Sequence, residues 1–101
     1  MKDQMKKLLC MLVKEDVDFD IYAHGREREG ILFNIQVKKH NFVIADIASS
    51  DSTYGGREGL LEIMRADGKL FDESFDEVIG WLDAQKAFDV IKQLLKEHME
   101  V

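Results

Sequence analysis

Five carboxylates crowd the stretch from Asp67 to Glu77, DGKLFDESFDE: Asp67, Asp72, Glu73, Asp76 and Glu77, against the one cation Lys69. Like charges held close repel one another and cost the folded state. The stretch is therefore either a solvated loop or a surface that meets a basic partner. A second acidic cluster, Glu15, Asp16, Asp18 and Asp20, lies nearer the N-terminus. Read as a strand, its last two carboxylates share a face at a spacing of ~6.6–6.8 Å. Phe71 and Phe75 are threaded through the longer stretch, and Trp81 follows it. Each aromatic taken singly reads as core; taken together they read as the dry contact area of an interface, where aromatics are enriched.

The other reactive side chains do not assemble. Cys10, His24, His40 and His98 fall on four separate segments, whereas a zinc site draws its ligands from close spacings, so no metal is expected. Cys10, beside Leu9 and Met11, reads as an inert, partly buried thiol. With no second cysteine there is no internal disulfide. Ser49, Ser50 and Ser52 occur without a G-x-S-x-G elbow. The turn Tyr54-Gly55-Gly56-Arg57 could cup an anion on its N–H groups, with Arg57 as counter-charge. It lacks the G-x-x-x-x-G-K-[ST] form of a phosphate-binding loop, and glycine used for conformational freedom explains it more simply. No catalytic residue and no cofactor is expected, and the chain is read as not an enzyme.

Composition narrows the partners. A chain of 101 residues, 46% hydrophobic and 34% charged, fits one folded domain, residues 1–101, with a single core. The longest apolar run, Leu8 to Val13, spans six residues, far short of the roughly 20 that cross a bilayer. Lys2, Lys6 and Lys7 lead into no signal-peptide core or cleavage site, so a cytoplasmic protein with no membrane partner is expected. Net charge is −6, with −4 in residues 15–30 and −5 in residues 51–80. Such a domain repels phosphate, which disfavours direct nucleic-acid binding and admits a basic protein partner.

The elements that must position these residues follow from periodicity. Met5, Leu8, Leu9 and Leu12 recur at helical spacing within residues 2–15. Val17, Phe19, Ile21 and Ala23 then alternate with Asp18, Asp20, Tyr22 and His24, the pattern of a half-buried strand. A polar turn is expected over Gly25–Gly30, a second strand through Ile31, Phe33, Ile35 and Val37, a turn at Lys39–Asn41, and a third strand over Phe42–Ile47. Ala48–Gly59 reads as the longest loop, Leu60–Arg65 as a fourth strand and Val78–Leu82 as a fifth, reached through the acidic excursion. Asp83 is placed to cap a last helix, with Ala84, Ala87, Phe88, Ile91, Leu94 and Leu95 on its apolar face. The order predicts an α+β fold, α-β-β-β-β-β-α, an antiparallel sheet with both helices packed on one face.

Residues 54–95 carry a Tyr-Gly-Gly turn, the strand Gly59-Leu60-Leu61-Glu62-Ile63-Met64, an acidic insertion, and Val78-Ile79-Gly80-Trp81-Leu82-Asp83-Ala84. This pattern resembles small acidic proteins of phages and mobile elements in Gram-positive bacteria, and the size and layout resemble anti-CRISPR proteins. The resemblance implies an inhibitor, acting inside a bacterial host, that sets carboxylates against the nucleic-acid-binding surface of a basic protein such as a CRISPR effector nuclease. The residues expected to meet that partner are Asp67, Asp72, Glu73, Asp76, Glu77 and Phe71, with Asp18 and Asp20. Two alternatives stand beside it. One is a homodimeric assembly module pairing through a sheet edge or through Leu32 and Val43. The other is a small-molecule site at Ser52, Tyr54, Gly55, Gly56 and Arg57.

Overall fold

A computed structural model of the chain describes residues 1–28, 30–72 and 76–99. Helix α1 (Asp3–Lys14) is followed by strands β1 (Phe19–Glu27), β2 (Gly30–Lys39), β3 (Phe42–Ala48), β4 (Leu61–Arg65) and β5 (Val78–Leu82), then helix α2 (Ala84–Met99). The strands pair in chain order as an antiparallel meander, with β1 and β5 at the edges. This is the α+β order expected. Among the described residues no helix is long and apolar enough to cross a membrane.

Both helices cover one face of the sheet. Ile35 and Val37 of β2, Ala45 and Ile47 of β3, and Leu61 and Ile63 of β4 point inward and are fully buried. They meet Met5, Leu8 and Leu12 of α1 and Ala87, Phe88, Ile91 and Leu94 of α2 in one cluster. Burying each large side chain is worth roughly 1.5–3 kcal/mol gross, which docks two helices that would be marginal alone. The helix ends are closed by specific bonds. After α1 the Val17 N–H reaches the Leu12 carbonyl and the Asp16 N–H that of Val13, with Asp16 at φ 56°, a Schellman stop. At α2 the Lys86 N–H donates to the Asp83 carboxylate at 2.8 Å, and the Ala84 N–H donates to Gln4 of α1 at 2.8 Å. The expected cap at Asp83 is present, and α1 supplies a second one.

Three local readings are corrected. Residues Gly25–Gly30 are not a turn throughout: β1 runs on to Glu27, which pairs with Gly30, and a bulge between Ala23 and Gly25 absorbs His24. The polar residues Arg26 and Glu27 therefore belong to the ladder, paired with Ile31 and Gly30. Cys10 is exposed, not partly buried. It stands about 200° around the helix from Leu8, away from the buried stripe. The second turn is tighter than the three residues expected: Lys39 pairs with Phe42, and His40 and Asn41, at φ 53° and 67°, form the primed turn that suits twisted strands.

Candidate functional site

Alternation along the strands puts a second set of side chains on the sheet face that carries no helix. One row across it is Asp20, Gln36, Asp46, Met64 and Val78, paired strand to strand. The next row holds Tyr22 beside Asn34 and Ala48 beside Glu62. From these rows Tyr22, Asn34, Asp46, Ala48, Glu62 and Met64 line an open hollow of about 300 Å³, roofed on one side by Ser49, Ser50, Ser52 and Thr53 of the β3–β4 loop. At its floor the Asp46 carboxylate accepts from the Tyr22 hydroxyl at 3.2 Å and from the Asn34 amide at 3.0 Å. Asn34 is only 8% exposed. Burial, and then the neighbouring Asp46 charge, raise the Tyr22 hydroxyl's pKa, which keeps it a neutral donor. The His24 ring stands edge-on to Tyr22 with centroids 6.3 Å apart.

The loop that roofs the hollow is tied internally. The Thr53 hydroxyl bonds the Ser50 carbonyl at 2.9 Å and the Ser50 N–H bonds back to that hydroxyl at 2.9 Å. The buried Ser49 hydroxyl donates to the Leu60 carbonyl at 2.9 Å. Gly56 lies so close beneath that a Cβ there would sit 1.6 Å from the Ser50 carbonyl oxygen. Gly80 of β5 likewise leaves room for Tyr54, whose Cβ would lie 2.2 Å from a Cβ at that position. Two of the three N–H groups of the Tyr-Gly-Gly turn are engaged: Tyr54 donates to Glu62 at 3.3 Å, and Gly56 to the Thr53 carbonyl at 3.1 Å. An anion therefore meets few open donors there. Trp81 does not join the core. It is 57% exposed, in a bulge of β5 opposite Leu61–Ile63 and at φ 60°, where the extra residue turns its side chain outward.

The acidic stretch divides into an inward and an outward part. Asp67 turns in, with its side chain 7% exposed, to meet Arg65, whose side chain is 4% exposed. Arg65 Nε and Nη2 bond the two Asp67 oxygens at 3.1 and 2.7 Å, and Nη2 also reaches Glu97 at 2.7 Å. Its Nη1 donates to the Leu70 carbonyl at 3.2 Å, and the guanidinium lies 5.4 Å from the centre of the Phe71 ring. His98 completes the network at 2.9 Å from Asp67. Burial alone would push the Asp67 carboxyl up; the bonds from Arg65, His98 and the Lys69 N–H outweigh it and hold the carboxyl well below its ordinary range. Phe71 is a buried member of the core cluster. Asp67 and Phe71 are thus committed to pinning the end of α2 to the end of β4.

Asp72, Asp76 and Glu77 are exposed, as are Asp18 and Asp20; Glu73 and Phe75 lie outside the described residues. Asp20 forms an ion pair with Lys38, which raises the lysine's pKa mainly through that bond. The excursion is drawn together by a bridge between Phe71 and Asp76. The strand registers bring the start of β1, the β2–β3 turn, the end of β4 and the start of β5 to one end of the sheet. Asp18 and Asp20 stand at one edge there and Asp76 and Glu77 at the other, four strand spacings or ~19 Å away. Exposed Phe42 lies on the strand between them. Among the described residues no three His, Cys, Asp or Glu side chains gather where they could hold a metal ion.

Sequence reasoning missed the Tyr22–Asn34–Asp46 cluster and the role of Arg65. Signals for both were present. Asp46 and Asn34 interrupt otherwise apolar strands, and Arg65 holds the inward phase of Leu61 and Ile63. No family model, no curated protein and no solved structure matches the chain.

Proposed function

We propose that this chain is a non-enzymatic interaction protein that presents carboxylates to a basic, nucleic-acid-handling host protein and inhibits it, as the resemblance to anti-CRISPR proteins implies. One observation carries the reading: Asp18 and Asp20 at one edge, and Asp72, Asp76 and Glu77 near the other, are all exposed at the same end of the sheet. Two acidic clusters far apart in sequence lie at opposite edges of one end of the sheet, with the Lys39–Phe42 turn between them. Carboxylates so placed occupy Lys and Arg sites that otherwise hold phosphates, steering association through long-range attraction.

The test is competition. The protein is titrated into complexes of a basic nuclease, such as a CRISPR effector, with its DNA at low and physiological salt. Displacement that weakens with salt supports the reading; no displacement of any such enzyme, and no basic protein retained from host lysate, sinks it. A homodimer is the second reading, favoured by β1 and β5 being the edge strands of an open sheet. Light scattering that finds a strict monomer at high micromolar concentration removes it.

A further inference from the structure

We infer that the hollow on the helix-free sheet face is a receptor for an alkylguanidinium group, with Asp46 as its counter-charge. This site is distinct from the acidic end of the sheet and stands without it. The first ground is the balance of donors and acceptors. The Tyr22 hydroxyl is spent on Asp46, the Ser49 hydroxyl on Leu60 and the Thr53 hydroxyl on Ser50, while the Ser50 and Ser52 hydroxyls share one bond that leaves a single O–H open. Acceptors remain. Each Asp46 oxygen takes one bond from the protein, which leaves about two of its four lone-pair sites. Glu62 takes one bond, at Oε1. Asn34 lines the hollow from a side chain only 8% exposed, and among the described residues its carbonyl oxygen accepts no hydrogen bond.

The second ground is charge. Among the described residues no Lys or Arg lines the hollow, and neither Asp46 nor Glu62 is paired with a cation. A donor-rich cation complements such a lining, and guanidinium offers five donors, no acceptor and a planar fork that matches a carboxylate side-on. Tyr22 and Asn34 hold Asp46 from opposite oxygens, so the counter-charge is already oriented. Leu32, Ala48 and Met64 supply apolar wall for an alkyl stem, and about 300 Å³ is at the small end of ligand sites.

The group has two sources, a free guanidino compound or an arginine side chain of a protein partner. Amide-resolved NMR titration of the full chain separates them, using ethylguanidinium, L-arginine, a blocked Gly-Arg-Gly peptide and the same peptide with neutral citrulline. Saturable shifts at Tyr22, Asn34, Asp46 and Glu62 are expected with the guanidinium probes and not with citrulline. A stronger response to the peptide assigns the site to a partner's arginine; an equal or stronger one to the small probes assigns it to a free compound. Asp46→Asn keeps an acceptor for Asn34 and should weaken binding about ten- to hundredfold. Neutralising Asp72, Asp76 and Glu77 should leave this binding unchanged while abolishing competition with nucleic acid, so each site is tested apart from the other. Equal shifts with citrulline, shifts confined to the acidic excursion, or no saturation in wild type overturns the inference.

Discussion

Replacing Asp67 by Asn separates a structural carboxylate from a partner-facing one. In the folded chain Asp67 is the main counter-charge of a guanidinium that is 4% exposed. Removing one partner of a buried ion pair costs about 3–5 kcal/mol. Here Glu97 still reaches Nη2 at 2.7 Å, and the asparagine oxygen can keep one bond, so the cost falls at the lower end, about 3 kcal/mol. For 101 residues the unfolding entropy is about 0.2 kcal/mol/K, and the expected fall in Tm is about 14 °C by calorimetry or circular dichroism at pH 7. Asp72→Asn, at an exposed position of the same excursion, should move Tm by no more than about 2 °C. Acid supplies a further check. Because folding lowers the Asp67 pKa, its contribution is present above the unfolded value near 3.9 and is lost as pH falls from there toward the lowered folded value. The gap between wild type and Asp67→Asn should therefore narrow between about pH 4 and pH 3. Arg65→Met combined with Asp67→Asn should cost less than the two changes summed. A fall in Tm under about 3 °C, or a gap that widens in acid below pH 4, would refute the assignment of Asp67 to the interior network.

Neutralising Asp72, Asp76 and Glu77 to Asn, Asn and Gln should leave Tm level or raise it, since like charges are relieved. The same variant should lose affinity and salt dependence toward a basic partner, read by association rates at two ionic strengths. Gly80→Ala would place a Cβ 2.2 Å from that of Tyr54, and chemical denaturation should show a loss of about 1–3 kcal/mol. Phe88→Ala and Ile91→Ala, in the buried face of α2, should cost about 2–5 kcal/mol. Lys92→Ala, which loses only the placement of its ammonium 5.0 Å from the Phe88 ring centre, should cost less than about 1 kcal/mol; equal losses at all three would show that the helix face is wrongly assigned.

Local chemistry was legible in this chain wherever a signal lies within a few residues. The two amphipathic helices, the alternation of β2, the turn at His40–Asn41 and the Asp83 cap depend on neighbours in sequence. The glycines of GREREG misled because a strand with a bulge and a turn use similar residues, and only pairing with β2 shows that β1 continues to Glu27. The fate of each acid was not local. Asp67 and Asp72 look alike in DGKLFDESFDE, yet one faces Arg65 and His98 across the β4–α2 junction and the other faces water. Likewise Tyr22, Asn34 and Asp46 sit on three strands and become one cluster only when the registers are set. Periodicity determines which side of an element is apolar, because that depends on the geometry of one segment. Which polar groups meet across elements depends on register and packing, which the tertiary structure alone decided.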